Sequence, residues 1–231
     1  MHQRIAESPV LPISWPGDDA VLRPWRAADV ARFWALTGSN RARLSVWLGW
    51  PDSTHGEADV AAFIAATRTA LDSGEGCDLA LETAGQPVGG VGLCEIDQTN
   101  NTATMGYWID REWEGKGLVA GACRAILRHA FDDLAMARVE LWSMAGNARS
   151  RALAQRLGFH EEGILRARVI HRGQRHDRVV YGLAKGGVAP GTMKFAQGLE
   201  PAPPLNCGTQ RLGSNAALSG EVGDIRVFLN L

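Results

Sequence analysis

The chain has 231 residues, of which 45% are hydrophobic and 21% are charged, and its 24 basic residues nearly balance its 25 acidic ones. This is the composition of an ordinary globular protein. A formal net charge of −1, without long runs of like charge, argues against a dedicated nucleic-acid or anionic-membrane binder. We therefore expect neither nucleic acid nor membrane as a partner.

Cysteine usage and the N-terminal segment indicate the compartment. The four cysteines are scattered and lack the spacing of metal ligands or of a disulfide framework, so no metal site is predicted. The first twenty residues lack an apolar segment of signal-peptide length, and no segment approaches the roughly 18 apolar residues of a membrane span. We therefore expect a cytoplasmic protein.

The first part of the chain predicts one strand followed by two helices. The short apolar run 20–23 ends at Pro24 and indicates a strand. Apolar residues near helical spacing predict helices over 27–39 and 57–72, the second ended by glycines. The segment 44–52, LSVWLGWPD, is expected to connect them as a loop.

The middle of the chain changes to the period of strands. The segments 77–83, 87–97 and 102–109 are separated by short turns and predict consecutive antiparallel strands. Apolar residues from Val119 to Leu134 then recur at steps of three and four, which predicts the most regular helix of the chain.

The remaining pattern predicts a strand over 138–143, a short helix over 149–157, and a hairpin formed by 162–170 and 175–183. The predicted order is therefore βααβββαβαββ.

These elements form one expected domain, from Ala20 to Ala184. Residues 1–19 are interpreted as an N-terminal extension. Residues 185–231 are rich in glycine and proline and are interpreted as a flexible tail. The final residues, EVGDIRVFLNL, could still dock as a strand.

The segment EGKGLVAGACRAI places two glycines at the start of the most regular helix, directly after a strand. The first amides of a helix are unpaired and carry partial positive charge, so glycines that let a phosphate approach the backbone create an anion site. The spacing matches neither a Walker loop nor a dinucleotide fingerprint. The alternative is that these glycines only turn the chain into the helix and form no anion site.

Three separated segments of the sequence resemble those of a known protein family. They are LRPWRAADVARFWAL, GYWIDREWEGKGLVAGACRAILRHAF, and VELWSMAGNARSRALAQRLGFHEEGILR followed by DRVVYGL. Through them the chain resembles the GNAT N-acetyltransferases, most closely the Rim-type branch that includes acetyltransferases of ribosomal-protein N-termini. The resemblance implies an α/β fold with a mixed, mostly antiparallel central sheet flanked by helices on both faces. It also implies transfer of an acetyl group from acetyl-CoA to a primary amine.

The resemblance also implies where acetyl-CoA binds. Its pyrophosphate would bind backbone amides of the glycine loop and helix start, and its pantetheine arm would pair with the preceding strand. An Asn and a Ser after the strand 138–143 would lie near the arm and the thiol. The matching residues are Gly115, Lys116, Gly117, Leu118 and Val119 for the pyrophosphate, Trp108 and Ile109 for the arm, and Asn147 and Ser150 for the last pair.

Two features depart from the family pattern. The motif Q/R-x-x-G-x-G/A aligns with Glu114 to Val119, so a glutamate replaces Gln or Arg and a valine replaces the small last residue. Backbone amides should still bind phosphate, although Val119 could crowd it. The tyrosine that protonates the departing thiolate in many relatives is replaced by Ala154. Ser150 is then the candidate proton donor, with helix capping by its hydroxyl as the alternative.

A protonated amine cannot attack a thioester, so a base, or a water chain leading to one, must remove its proton. Glu95 is the candidate because it lies on a central strand near the expected cleft, with an exposed or salt-bridged glutamate as the alternative. Glu162 is a further option. A second carboxylate used in some Rim-type relatives falls near Val169 here, which leaves that role unfilled.

Trp47 and Trp50 flank a glycine in the segment expected to overhang the cleft. Rigid amphipathic rings suit an acceptor pocket, and core packing is the alternative. The resemblance makes a protein N-terminal amine the leading acceptor. A small-molecule amine and a non-catalytic acyl-CoA-binding module are the alternatives, and a homodimer is left open.

Overall fold

The computed structural model describes residues 10–17 and 19–186. Most of the expected N-terminal extension, and the expected tail after Gly186, lie outside the described residues. The domain bounds and the tail therefore stay predictions.

Within the described residues, strands and helices alternate much as the sequence predicts. The strands are β1 (Leu11–Pro12), β2 (Ala20–Pro24), β3 (Cys77–Thr83), β4 (Gln86–Asp97), β5 (Thr102–Ile109), β6 (Arg138–Met144), β7 (His160–His171) and β8 (Gln174–Ala184). The helices are α1 (Val30–Leu44), α2 (Trp50–Ser53), α3 (Glu57–Ser73), α4 (Leu118–Arg128) and α5 (Ala148–Arg156). Short 3-10 turns span Ala27–Asp29 and Arg111–Trp113, and a π-helical turn, His129–Asp133, continues α4.

The strands form one sheet in the order β1-β2-β3-β4-β5-β6-β8-β7. All neighbouring strands are antiparallel except β5 and β6, which run parallel. This parallel pairing ends at Thr104 and Glu140, although both strands continue beyond it. The expectation of a mixed, mostly antiparallel sheet is confirmed, and β5 and β6 part beyond their short parallel pairing.

Neighbouring residues of β5 point to opposite faces of the sheet, as strand geometry requires. The ring of Trp108 packs against Phe33 of α1 and Trp50 of α2, with ring centroids 5.2 and 5.3 Å apart. The hydroxyl of Tyr107 instead bonds that of Ser150 in α5. We call these the Trp108 face, which α1 and α2 cover, and the Tyr107 face, which α5 covers.

Two short elements differ from the sequence-based expectation. Strand β1 pairs with β2 through Leu11 and Leu22, and it is too short to show any period. Helix α2 begins inside the expected loop, because Trp50 is fully buried and the following Pro51 is compatible with a first helical turn.

The hairpin formed by β7 and β8 bends toward the Trp108 face. At its tip, His171 bonds the backbone oxygen of Ser45 over 2.8 Å, and Arg172 bonds the carboxylate of Asp52 over 2.9 and 3.0 Å. The register shifts twice along β7, and such bulges let a strand bend. The hairpin therefore closes over the connection between α1 and α2.

Arg23 of β2 is a buried charge with two carboxylate partners. It is 3% exposed and donates to both oxygens of Asp29, over 2.7 and 2.8 Å, and to Glu82 of β3 over 2.6 Å. Asp29 also accepts from the backbone amide of Arg26 over 2.8 Å. This ion pair joins β2, β3 and the turn that begins α1.

We expect Asp29→Asn to lower the free energy of unfolding by about 3 kcal/mol, because it leaves the buried guanidinium of Arg23 without full compensation. Asp72→Asn is the control, since its pair with Arg68 is exposed and should contribute less than about 0.5 kcal/mol. Urea denaturation measures both values. Equal, small losses would contradict a structural role for the buried pair.

Candidate active site

A cavity of about 720 Å³ lies where β5 and β6 part. The end of α1, the end of β5, the glycine loop, the start of α4 and the helix α5 enclose it. The lining residues are Arg43, Leu44, Trp47, Leu48, Tyr107, Trp108, Ile109, Trp113, Glu114, Gly115, the segments 117–120 and 147–150, Ala152, Leu153 and Arg156.

The edge of β5 toward β6 is open along the cavity. On its other edge β5 pairs with β4 as far as Ile109. On the edge toward β6, no strand of the described residues pairs with β5 beyond Thr104. Main-chain N–H and C=O groups need partners, so this edge can pair with an extended polar ligand.

The glycine loop turns the chain into α4 and also lines the cavity. Gly115 and Gly117 have φ values of 73° and 85°, in the left-handed region that favours glycine. Gly117 caps α4, and its carbonyl accepts from the amide of Gly121 over 3.0 Å. The helix-start amides after Gly117 have no intrahelical partner, so the cavity has an anion-binding end.

Two arginines flank the loop and are held by Glu114. The carboxylate of Glu114 accepts from Arg43 of α1 and, over 2.7 Å, from Arg149 of α5. Arg43 also donates to Asn40 over 2.8 Å, and Asn40 donates to Asp110 over 2.8 Å. Burial lowers the pKa of Arg43. The glutamate that replaces the family's Gln or Arg thus orders positive charge beside the loop.

Ser150 and Tyr107 form a buried hydroxyl pair at the cavity wall. Their oxygens are 2.9 Å apart, and the residues are only 5% and 9% exposed. Asn147 caps α5, because its side-chain oxygen accepts from the amide of Ser150 over 3.2 Å. The alternative in which the serine hydroxyl caps the helix is therefore wrong. Burial raises the pKa of Tyr107, so this hydroxyl stays protonated.

Most of the residues suggested by the sequence meet in this cavity. It brings together Trp47, Trp108, Ile109, Gly115, Gly117, Leu118, Val119, Asn147 and Ser150.

Three suggested residues lie outside the cavity lining. Lys116 is exposed, and its ammonium lies 4.6 Å from the ring centre of Trp113. Trp50 is fully buried in the aromatic core, which agrees with the packing alternative. Glu95 lies on an irregular part of β4, is exposed, and accepts from the hydroxyl of Thr104 over 2.9 Å.

The further option, Glu162, is also outside the lining. It is exposed on β7 and pairs with Arg138, and the hydrogen bond from that arginine lowers its pKa. A carboxylate held in its charged form by a surface arginine is a weak proton acceptor.

Tyr107 and the arginines 43, 149 and 156 of the lining were not among the residues predicted from the sequence. Strand alternation could have placed Tyr107 opposite Trp108. Arg43 lies on α1, whereas Arg149 and Arg156 lie on α5 far along the chain, and no local pattern marks the two helices as neighbours.

Among residues 10–17 and 19–186, no group of three or more His, Cys, Asp or Glu side chains could hold a metal ion. In the same part of the chain, no helix is both long and apolar enough to cross a bilayer.

Known proteins resemble this chain in sequence. A family model described as acetyltransferase (GNAT) domain matches residues 19–160. The chain is 36% identical over 159 residues to the putative ribosomal N-acetyltransferase YdaF of Bacillus subtilis (strain 168), which covers 68% of this chain and 86% of that protein. It is 25% identical over 137 residues to the ribosomal-protein-serine acetyltransferase of Escherichia coli (strain K12), covering 59% and 76%.

A solved structure resembles the fold. The microcin C7 self-immunity acetyltransferase MccE, in complex with acetyl-CoA and AMP, is 25% identical and superposes with a TM-score of 0.69 over 73% of this chain and 94% of that one. An anion-binding helix start, an open strand edge and a buried hydroxyl pair together fit the phosphates, the amide-rich arm and the thioester of acetyl-CoA. The chain thus belongs to the GNAT N-acetyltransferase family and to its Rim-type branch, and is an acetyl-CoA-dependent N-acetyltransferase.

Proposed function

We propose that this enzyme acetylates the N-terminal amine of a protein, most specifically of a ribosomal protein. The observation that carries the proposal is the 36% identity to a putative ribosomal N-acetyltransferase over 86% of its length. The ribosomal-protein-serine acetyltransferase supports the same acceptor class. A small-molecule amine is the alternative, because MccE is named for microcin self-immunity rather than for a ribosomal substrate.

For the donor, the backbone amides of Gly117, Leu118 and Val119 are proposed to bind the pyrophosphate. Support comes from the left-handed φ of Gly117, which is needed for this turn, and from the unpaired amides at the start of α4. The arginines at positions 43 and 149 add positive charge at this end of the cavity.

The open edge of β5 at Trp108 and Ile109 is proposed to pair with the amides of the pantetheine arm. Asn147 lines the same stretch and holds the start of α5 in place through its cap. The arm would then direct the thioester toward the point where the strands part.

The bound co-substrate supplies an activated acetyl group and a thiol as leaving group. The Ser150 hydroxyl is proposed to hold a proton for the departing sulfur, with the Tyr107 hydroxyl 2.9 Å away to replenish it. Tyr107 would thereby serve in place of the tyrosine that Ala154 replaces. Holding both substrates in fixed geometry supplies much of the remaining rate.

The acceptor is tested with a lysine-free peptide that begins with serine, and CoA release is measured with purified enzyme and acetyl-CoA. We expect turnover with the free N-terminus and none with the same peptide blocked by an acetyl group. Turnover only with small amines, such as spermidine or aminosugars, would support the alternative. No turnover with any amine would overturn the proposed function.

We expect Gly117→Val to weaken acetyl-CoA binding at least about tenfold, because a β-branched residue is strained at a φ of 85° and would distort the loop. Gly38→Ala is the matched control. It adds a methyl group in open space within α1 and should leave affinity unchanged while stabilising the helix. Calorimetric titration measures both, and an unchanged affinity for the valine variant would remove the loop from the site.

We expect Ser150→Ala to lower kcat about 10²-fold with little change in acetyl-CoA affinity, because general acid catalysis contributes at that scale. Tyr107→Phe should give a smaller loss, since the serine hydroxyl remains. Steady-state kinetics and calorimetry separate the two quantities. A parental kcat for the alanine variant would assign the pair to packing alone.

A further inference from the structure

Asp78 is a carboxyl group inside the sheet that the donor site does not use. It lies on β3 directly opposite Gly92 of β4. Two residues later, Ala80 pairs with Gly90, which in turn pairs with Trp108. Residues two apart on a strand share a face, so Asp78 lies on the Trp108 face.

The Asp78 carboxyl lies next to Gly92 of β4, and its Oδ1 has no hydrogen-bond partner in the described part of the chain. A methyl group added at Gly92 would collide with its Oδ1. That oxygen is buried and has no hydrogen-bond partner among the described residues, although the residue as a whole is partly exposed. Burial raises the pKa of Asp78 to about 7. A buried acceptor without a partner is costly and points to a group that arrives from outside.

Between Asp78 and the gap where β5 and β6 part, the residues of the sheet have no side chains. Gly92 pairs with Gly106 of β5, so two glycines lie side by side next to the carboxyl. The parallel pairing of β5 with β6 ends at Thr104 and Glu140, before β5 reaches Gly106. Strands lie about 4.8 Å apart, so the carboxyl is within two strand spacings of the gap. An amino group could bind between the carboxyl and the gap.

An acceptor that approaches from this face would reach the thioester from the side opposite the hydroxyl pair. The hydroxyl pair of Tyr107 and Ser150 lies on the opposite face, where the sulfur would leave. The tip of the β7–β8 hairpin docks near Ser45 and Asp52, above the Trp108 face. The acceptor would enter beneath this hairpin.

Two other carboxylates on this face are already engaged. Glu95 accepts from Thr104, and Glu140 pairs with Arg138 over 2.9 Å. The guanidinium of Arg178 stacks 3.8 Å above the ring of Trp142. The buried residues of α1 and α3, the helices packed beside this face, include no charged side chain. Asp78 also lies outside the cavity lining, but its buried oxygen has no hydrogen-bond partner among the described residues, and Asp78 is therefore better suited than Glu95 to meet an incoming amine.

We infer that Asp78 binds the acceptor's amino group and accepts its proton. This inference rests on the proposed function. The ammonium group transfers one proton to the carboxylate, and the freed lone pair forms the C–N bond to the acetyl carbon. The C–S bond breaks, and the sulfur takes a proton from the Ser150–Tyr107 pair. The amide nitrogen loses its extra proton to restore that pair, and Asp78 releases its own proton to water.

We expect Asp78→Asn to lower kcat for the serine-first peptide about 10²-fold and to leave acetyl-CoA affinity unchanged. In the parent enzyme, the rate should rise with pH through about 7, because only the ionised carboxyl accepts a proton. The asparagine variant should lose this rise. Its melting temperature at pH 8 should be higher than the parent's, because the raised pKa of Asp78 costs stability that grows as the pH rises to about 7 and asparagine cannot ionise.

Asp72→Asn is the matched control, since this exposed carboxylate of α3 should leave kcat and the pH profile unchanged. Glu95→Gln tests the competing candidate and should lower kcat less than tenfold. Asp78→Glu keeps a carboxyl and should retain the pH-dependent rise at a reduced rate, which also serves if the asparagine variant does not fold.

The outcomes separate the two proposals. Parental kcat in Asp78→Asn, loss of the rise in Asp78→Glu, or a larger loss in Glu95→Gln than in the asparagine variant would overturn the role of Asp78. Each leaves the proposed function standing. A parent enzyme without turnover on any amine overturns the proposed function, and the role of Asp78 falls with it.

Discussion

The parting of β5 and β6 is the constraint on which the site depends. The two strands pair in parallel over Thr102–Thr104 only, and then diverge while both remain extended. Divergence leaves a strand edge without a partner and opens a cavity of about 720 Å³ at the middle of the sheet. The elements that follow these strands, the glycine loop with α4 and the helix α5, are brought to its two sides. Anion-binding amides, open main-chain groups and the hydroxyl pair meet there for this reason.

Strand alternation divides the chemistry between the two faces of the sheet. Tyr107 points to α5 and pairs with Ser150, whereas Trp108 points into the aromatic core with Phe33 and Trp50. A single strand can therefore support a leaving group on one face and an incoming amine on the other. Glycines at the parting point suit this arrangement, because any side chain there would stand between the two substrates.

The departures from the family pattern are accommodated by contacts elsewhere in the fold. Glu114 joins Arg43 and Arg149 beside the loop, so an acidic residue helps to order positive charge near the expected phosphates. Ala154 stands where many relatives have a tyrosine, and Tyr107 on β5 supplies a tyrosine hydroxyl next to Ser150. The hairpin and the α1–α2 connection meet through Arg172 and Asp52.

The sequence by itself determined the order of strands and helices, the glycine loop and, through three blocks, the family, because periodicity and turn residues act between near neighbours. It also placed Gly117, Asn147 and Ser150 beside one cleft. Only the tertiary structure decided that β1 joins the sheet, that Trp50 belongs to the core and that Glu95 lies outside the cavity. The pairs that matter most, Tyr107 with Ser150 and Arg43 with Glu114, are 43 and 71 residues apart. Such contacts depend on how the strands pair and diverge, and no local pattern records that.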